Sequence, residues 1–197
     1  MTETPFTPDK EQIAALEPFE RLPLDRIRLV ATAAQAERAI VELAAASVLG
    51  FDTESKPTFA KGEVSGGPHI VQFATLTGAW IFQLDDPACR AALCRLLETN
   101  PAKKVGFGLG DDVKRIRAKL GVEALNVVDL NHLFRAQGYR KDIGVKTAVA
   151  LLFGKRFLKS GKASTSNWAA RELSESQRLY AANDAWAAAR VFEAMHR

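Results

Sequence analysis

The sequence predicts an α/β fold in which a mixed central β-sheet is flanked by α-helices. Short apolar segments with the two-residue period of β-strands alternate with Ala- and Leu-rich segments that have helical periodicity. The strands are concentrated before residue 131, and helices dominate after it. The length of 197 residues suits one domain with a sizeable core. This order of elements is typical of a sheet that carries helices on its faces.

The predicted elements follow one another regularly from residue 26. The alternating residues 26–32 form a strand, and the Ala-rich residues 34–47 form a helix. Three apolar strands come next, and Thr77 and Gly78 make the turn between the second and the third. These three strands cover residues 48–54, 68–76 and 79–84. A sheet therefore begins in the first half of the chain.

The second half of the predicted sheet is interleaved with helices. Residues Ala88–Leu97 form a helix, and the apolar residues 104–108 form a strand. The helix that follows covers residues 111–121 and ends in glycine, a residue type that favours helix C-termini. Residues 127–130 are a further strand, and residues 131–197 are mostly helical.

Two segments stand apart from this alternation. Residues 1–24 are rich in Pro, Thr and acidic side chains and are predicted to form an N-terminal arm before a domain over residues 25–197. A long Gly-rich loop separates the strands that end at residue 54 and begin at residue 68. The arm lacks the basic and then apolar pattern of a signal peptide, and no apolar run approaches the roughly 18 residues of a membrane span. We therefore expect a cytoplasmic protein without membrane contact.

Charge is distributed unevenly along the chain. The formal net charge is +4, but residues 1–100 carry −5 and residues 101–197 carry +9. A basic half favours a polyanionic partner over a cationic or purely apolar one. Cys89 and Cys94 lie on different faces of one predicted helix, so we expect two reduced thiols rather than a disulfide.

Two acidic residues end the strand over residues 48–54. The two-residue period places Asp52 and Glu54 on one face and Leu49, Phe51 and Thr53 on the other. Cα atoms two residues apart in a strand are separated by roughly 6.5 Å, so both carboxylates can reach one cation. The alternative is that Asp52 is a turn residue and Glu54 a solvated neighbour.

A third acidic residue lies on the apolar side of the last predicted helix. Ser174 and Gln177 have the spacing of a capping box that starts this helix. Asp184 then shares a face with Tyr180, one turn earlier, and with the apolar residues that follow. An ionised carboxylate there is costly unless it is neutralised. A metal ion or a salt bridge to Lys or Arg would neutralise this carboxylate.

A fourth candidate stands where the strand over residues 104–108 leads into a helix. Asp111 has the position of an N-cap, whereas Asp112 falls in the first turn, near the carboxyl end of the strand. The carboxyl ends of the strands in α/β sheets are common positions for ligand-binding and catalytic sites. The glycines nearby are wrongly spaced for a dinucleotide fingerprint, and no Walker sequence is present. We therefore expect no nucleotide cofactor.

Four carboxylates without a matching His or Cys cluster favour Mg²⁺ or Mn²⁺ over Zn²⁺. The histidines are scattered at His69, His132 and His196, which does not suggest a ligand set. Two such cations, held about 3.5 to 4 Å apart, can activate water and stabilise a leaving oxygen in phosphodiester hydrolysis.

Three motifs in this order resemble the DEDD superfamily of 3′-5′ exonucleases. The segment FDTES matches the first motif, VGFGLGDDVKRI the second, and YAAND the third. The stretch STSNWAARELSESQRLYAANDA is especially similar to the DEDDy branch, which includes ribonuclease D and the Werner exonuclease domain. Trp186 departs from the tyrosine that many relatives have after Asp-Ala. The resemblance covers the chain from about residue 26 to its end.

The resemblance implies a ribonuclease H-like fold and a role for each site residue. Asp52 would bridge two divalent cations, Mg²⁺ or Mn²⁺, and Glu54 and Asp184 would complete the tighter metal site. Asp112 would hold the second cation through water, and Tyr180 would orient the attacking water. The implied reaction is two-metal hydrolysis of phosphodiester bonds from the 3′ end of nucleic acid.

A basic segment follows the predicted core. No acidic residue interrupts it between residues 155 and 162. Its cationic residues are Lys155, Arg156, Lys159 and Lys162. They are either a path for the phosphate backbone of single-stranded nucleic acid or a solvated charged surface. Phe157 and Trp168 could stack on bases or belong to the core.

Two other classes of protein fit parts of this pattern. A haloacid-dehalogenase-like phosphatase also has an Asp at the end of its first strand and a later Gly-Asp-Asp, but that class leaves Tyr180 and Asp184 unexplained. A non-catalytic nucleic-acid-binding relative would normally lack one of the carboxylates, and all are present. The choice between DNA and RNA depends on the shape of the pocket around the 2′ position, which the sequence leaves open.

Overall fold

The computed structural model of the protein describes residues 5–58 and 65–196. The six strands form one sheet and comprise β1 (Ile27–Val30), β2 (Val48–Glu54), β3 (Ile70–Ala74), β4 (Ala79–Gln83), β5 (Lys103–Gly106) and β6 (Val127–Asp129). The helices are α1 (Lys10–Ala14), α2 (Ala33–Ala44), α3 (Pro87–Thr99), α4 (Gly110–Leu120), α5 (Leu130–Ala136), α6 (Gly144–Phe153), α7 (Gly161–Ser164) and α8 (Glu175–Ala194). A 3₁₀ turn precedes β1 at Leu24–Arg26.

The sheet is mixed, as the sequence predicts. Its strand order is β1-β4-β3-β2-β5-β6, and β3 runs antiparallel to both of its neighbours. The other adjacent pairs are parallel, so five strands share one direction. Because β2 and β5 are parallel neighbours, their carboxyl ends lie side by side at one edge. The loops after these two strands can therefore contribute to one site.

Each face of the sheet is covered by apolar residues from helices. On one face α2, α3 and α4 bury residues such as Leu43, Leu93 and Ile116 against Leu49 and Phe51 of β2. On the other face α8 packs across the sheet, together with α5 and α6. Because helices cover both faces of the sheet, every residue of β3 and β4 is buried. The predicted α/β class with flanking helices is confirmed.

The predicted arm is anchored to the core near its end, although most of its described residues are exposed. Phe19 and Leu22 are buried in the core cluster on the α8 face, and Pro18 forms a parallel β-bridge with Arg156. The boundary at residue 24 stays a prediction. In the predicted long loop, residues 59–64 lie outside the described residues. No described helix is long and apolar enough to span a membrane.

Candidate metal and phosphodiester site

The carboxyl end of β2 presents two acidic side chains on the α8 face of the sheet. Leu49 and Phe51 point into the opposite core, so strand alternation turns Asp52 and Glu54 towards α8. Both residues are partly buried. The backbone N–H of Thr53 donates to Asp52 Oδ1 at 2.9 Å, which holds that carboxylate at the strand end. The face predicted from the sequence is confirmed.

Small residues let α8 approach β2 closely enough to join this site. A Cβ at Gly50 would lie 1.8 Å from the carbonyl oxygen of Ala185, so only glycine permits this crossing. Ala181, Ala182 and Ala185 are fully buried along the same helix. The residue before Ala185 is Asp184, which this crossing therefore places beside the end of β2. Ser174 and Gln177 form the predicted capping box at the start of α8.

Three carboxylates converge where α8 crosses β2. One oxygen from each of Asp52, Glu54 and Asp184 lies within 4.8 Å of the other two. Asp184 is 6% exposed, and Asp52 and Glu54 are partly exposed. We call these three residues the acidic cluster. Hard divalent cations prefer such all-oxygen donor sets.

Asp112 approaches the cluster from the neighbouring strand end. The loop after β5 leads into α4, and the hydroxyl of Thr53 donates a hydrogen bond to Asp112 Oδ1. The charge of Asp112 contributes to the raised pKa of Asp52, which places both carboxylates in one electrostatic site. Asp112 is not one of the three residues within 4.8 Å, so it lies at the margin of the cluster.

The predicted N-cap at Asp111 is wrong. Helix α4 begins at Gly110, so Asp111 lies within its first turn and pairs with Lys114 at 3.2 Å on the surface. The turn before the helix is held instead by Asp129, whose carboxylate accepts hydrogen bonds from the backbone N–H groups of Gly108 and Leu109, both at 3.1 Å. Asp129 is at the end of β6, and its contact with this turn depends on tertiary structure that the local sequence does not reveal.

Tyr180 lies one turn before Asp184 and faces the same site. Tyr180 and Asp184 line the same cavity, and the ammonium of Lys159 lies 2.7 Å from Asp184 Oδ2 and 5.1 Å from the centroid of the Tyr180 ring. The ring is 9% exposed and packs against Trp168, with ring centroids 5.8 Å apart. Burial and the charge of Asp184 raise the pKa of Tyr180, so the phenol is neutral at physiological pH. A neutral hydroxyl at this point can orient a water molecule beside a phosphate.

Desolvation dominates the electrostatics of the four carboxyl groups. Burial, reinforced by the charges of Asp184 and Asp112, raises the pKa of Asp52 well above its usual range. Burial and the charges of Asp52 and Asp184 raise the pKa of Glu54 to about 9. Burial also raises the pKa values of Asp112 and Asp184, although Lys159 opposes the shift at Asp184. The carboxylates repel one another and are partly removed from water. A divalent cation bound between them would stabilise this arrangement.

The basic segment is divided between the surface and the site. Lys162 is exposed and Lys155 partly so, whereas the Arg156 guanidinium donates to the Ala14 carbonyl oxygen of the arm at 2.6 Å. Lys159 forms an ion pair with Asp184, in which Nζ lies 2.7 Å from Oδ2. The salt bridge considered for Asp184 from the sequence is therefore present. Its lysine belongs to the segment predicted to bind nucleic acid.

The two aromatic residues near this segment are core residues in the structure. Phe157 is 5% exposed and Trp168 is 1% exposed. Sequence reasoning also missed Gln72, which is fully buried on β3 directly opposite Asp52 in the antiparallel register. The signal that could have identified it is a lone polar residue in the apolar strand IVQFA.

A family comparison matches most of the chain. The sequence model described as 3′-5′ exonuclease matches residues 27–197, so the chain belongs to the 3′-5′ exonuclease family. A 3′-5′ exonuclease of Arabidopsis thaliana is 28% identical over 149 residues, which are 75% of this chain and 52% of the relative. The bifunctional 3′-5′ exonuclease/ATP-dependent helicase WRN of Mus musculus is 26% identical over 155 residues, 78% of this chain and 11% of the relative. The chain thus spans about half the length of the first relative and about a tenth of the second.

Solved structures show the same ribonuclease H-like fold. Trypanosoma brucei RNase D superposes with a TM-score of 0.76 at 21% identity, over 86% of this chain and 64% of that one. The same protein in complex with RNA U12 superposes with a TM-score of 0.74 at 20% identity, over 94% of this chain and 64% of that one. The predicted fold and family are confirmed by these comparisons. The roles of individual site residues stay predictions.

Proposed function

We propose that this protein is a metal-dependent 3′-5′ exonuclease that hydrolyses phosphodiester bonds by a two-metal-ion mechanism. The observation that carries the proposal is the convergence of Asp52, Glu54 and Asp184, with Tyr180 and Asp184 lining one cavity. Membership of the 3′-5′ exonuclease family supports the same activity. A phosphatase of the haloacid dehalogenase class would leave the placement of Tyr180 beside Asp184 without a role.

The donor set suits two divalent cations, Mg²⁺ or Mn²⁺. Asp52, Glu54 and Asp184 would hold one cation, and Asp52 with Asp112 would hold the other, the latter through water. Cations bound in this way lower the pKa of coordinated water and stabilise the leaving oxygen. Tyr180 would orient the attacking water with its neutral hydroxyl.

The substrate we propose is the single-stranded 3′ end of DNA or RNA. A cavity of about 240 Å³ lies beside Tyr180 and Asp184, lined also by Arg21 and Leu158, and it offers room next to the acidic cluster for part of a terminal nucleotide. The solved T. brucei RNase D complex contains RNA U12, which makes RNA a natural first substrate to test here. A cytoplasmic location stays a prediction from the N-terminal sequence.

A strand-degradation assay tests this function directly. Oligonucleotides of matched DNA and RNA sequence, labelled at the 5′ end, are expected to give a ladder that shortens from the 3′ end when Mg²⁺ or Mn²⁺ is present. EDTA should stop the reaction, and a 3′-phosphorylated oligonucleotide reports whether a free 3′ hydroxyl is needed. A mobility shift without cleavage would indicate a nucleic-acid-binding protein, and release of nitrophenol from para-nitrophenyl phosphate would indicate a phosphatase.

We also propose that the basic segment binds the phosphate backbone. Lys155 and Lys162 form no side-chain ion pair or hydrogen bond with the described residues. The double variant Lys155→Glu with Lys162→Glu should therefore weaken binding of long single strands more than binding of a dinucleotide. Each lost phosphate contact lowers the slope of log K against log salt by about 0.7 for a single strand. Arg38→Glu, exposed on the opposite face of the sheet, is the control. An unchanged salt slope would identify the segment as a solvated surface.

A further inference from the structure

The ammonium group of Lys159 lies inside the acidic site. Its Nζ is 2.7 Å from Asp184 Oδ2, and the two side chains are 32% and 5% exposed. The same Nζ lies 5.1 Å from the centroid of the Tyr180 ring. No other salt bridge among the described residues involves a carboxylate of the acidic cluster or Asp112. Lys159 is therefore the cation paired directly with this site, whereas Lys146 acts on Asp184, and Arg115 on Asp112, without forming a salt bridge.

The N-terminal arm fixes the backbone that carries Lys159. Residues 17–19 exchange two backbone hydrogen bonds with Arg156, at 2.8 and 2.9 Å. The guanidinium of Arg21 donates to the carbonyl oxygen of Leu158 at 3.0 Å, immediately before Lys159. A lysine side chain on a free loop would lose much rotamer entropy on pairing, but a held backbone reduces that cost. The ion pair is thus supported by a second segment of the chain.

The same arm also holds the helix that carries Asp184. The backbone N–H of Leu22 donates to Asn183 Oδ1 at 2.8 Å, and Asn183 Nδ2 donates to the Leu22 carbonyl oxygen at 3.4 Å. Asn183 and Leu22 are both buried. Both partners of the ion pair are therefore positioned by residues 17–22, which precede the part of the chain matched by the family model.

Lys159 and a divalent cation would interact with the same carboxylate oxygen. An ammonium group 2.7 Å from Asp184 Oδ2 occupies a coordination direction of that oxygen. Its positive charge also opposes the raised pKa values of Asp52 and Glu54, so it acts on the whole acidic cluster. Two cations at one partly buried site repel each other strongly. Binding of a metal at Asp184 Oδ2 therefore competes with the ion pair to Lys159.

We propose that Lys159 is a positioning residue that serves as the built-in counter-ion of the acidic cluster and must be displaced from Asp184 when a divalent cation binds. This inference rests on the proposed metal-dependent function. Lys159 then sets the concentration of divalent cation that the protein needs, because the free energy of its ion pair is subtracted from that of metal binding.

Metal binding by the full chain tests this role without reference to catalysis. After removal of divalent ions, Lys159→Met is expected to bind Mn²⁺ about tenfold more tightly than the wild type, measured by calorimetry and by the electron paramagnetic resonance signal of free Mn²⁺. Lys159→Arg keeps the charge and should bind Mn²⁺ as weakly as the wild type. Lys141→Met removes one exposed positive charge that does not belong to the acidic cluster or the basic segment, and it is the control for the change in net charge. In EDTA, the melting temperature of Lys159→Met should fall, and Mn²⁺ should raise it by more than in the wild type.

The outcomes separate this proposal from the proposed function. Equal or weaker Mn²⁺ binding by Lys159→Met, beside measurable binding by the wild type, would overturn the counter-ion role and leave the metal site intact. An equal gain in Lys141→Met would show a net-charge effect and also overturn it. Failure of all four proteins to bind Mn²⁺ or Mg²⁺ would overturn the metal site itself, and with it both proposals. If Lys159→Met does not fold, weak binding by Lys159→Arg supports the role and tight binding contradicts it.

Discussion

Replacement of Asp52 by asparagine is expected to lower the rate of hydrolysis by about 10³-fold or more, because the lost charge is the one proposed to act on both cations. Asparagine keeps the size of the side chain and can still accept the hydrogen bond from the Thr53 N–H. Turnover of a labelled oligonucleotide is measured at saturating Mn²⁺. Asp111→Asn, a surface acid that pairs with Lys114, is the matched control and should keep full activity. Near wild-type cleavage by Asp52→Asn would contradict the metal assignment.

The same Asp52→Asn variant should be more stable than the wild type in EDTA at pH 8. The pKa of Asp52 is raised well above 3.8 in the folded protein, and that of Glu54 is raised from 4.5 to about 9. The folded state therefore retains protons that the unfolded state releases, so the free energy of unfolding of the wild type falls as the pH rises above about 4. Asparagine has no proton to release, and urea unfolding between pH 5 and pH 9 should give a flatter curve for the variant. Parallel curves would show that Asp52 does not contribute to this pH dependence.

Activity and stability thus make opposite demands on the same four residues. Each carboxylate is desolvated beside others of like charge, an arrangement that lowers stability in exchange for a place to bind divalent cations. The fold meets this demand with local devices: Gly50 lets α8 approach, Thr53 holds Asp112, and Lys159 neutralises Asp184. The first two devices position ligands, whereas the third would compete with the metal. The affinity for metal should therefore depend on Lys159 as well as on the carboxylates.

The elements that were predictable from the sequence are those with strong local signals. Strand alternation was enough to place Asp52 and Glu54 on one face, and the capping box at Ser174 set the phase of α8 so that Tyr180 and Asp184 share a side. Apolar periodicity likewise indicates the buried strands β3 and β4. Each of these features depends on residues within a few positions of one another, where geometry follows directly from the period of the element.

The features that the sequence did not reveal all depend on long-range contacts. Lys159 is 25 positions before Asp184 and looks like part of a basic surface until the fold brings its ammonium to the carboxylate. Asp129 holds the turn before α4 because β6 ends beside that turn, whereas no side chain caps α4 at its N-cap residue, Leu109. Most described residues of the arm are exposed, yet two of its apolar residues, Phe19 and Leu22, are buried and anchor it to the core. No local sequence pattern predicts contacts between residues so far apart in the chain.

Replacement of Tyr180 by phenylalanine is expected to lower turnover by roughly ten- to a thousandfold while leaving the affinity for Mn²⁺ nearly unchanged. The side chain lies beside Asp184 and Lys159, but its raised pKa keeps the hydroxyl neutral, and a neutral phenol is a poor ligand for a hard cation. The ring should stay packed against Trp168, so the fold is preserved. Tyr139→Phe changes the only other tyrosine of the chain and is the matched control.

The comparison with Asp184→Asn distinguishes a role in orienting water from a role in binding metal. Asp184→Asn removes a charged ligand, so its activity should require more Mn²⁺ and its Mn²⁺ affinity should fall. Tyr180→Phe should instead show a lower maximal rate at every Mn²⁺ concentration, because the missing hydroxyl acts after the metal is bound. Activity titrations with Mn²⁺, run beside direct Mn²⁺ binding measurements, give both quantities for each variant. Full recovery of Tyr180→Phe at high Mn²⁺ would show that the tyrosine supports Asp184 as a ligand and does not orient the water.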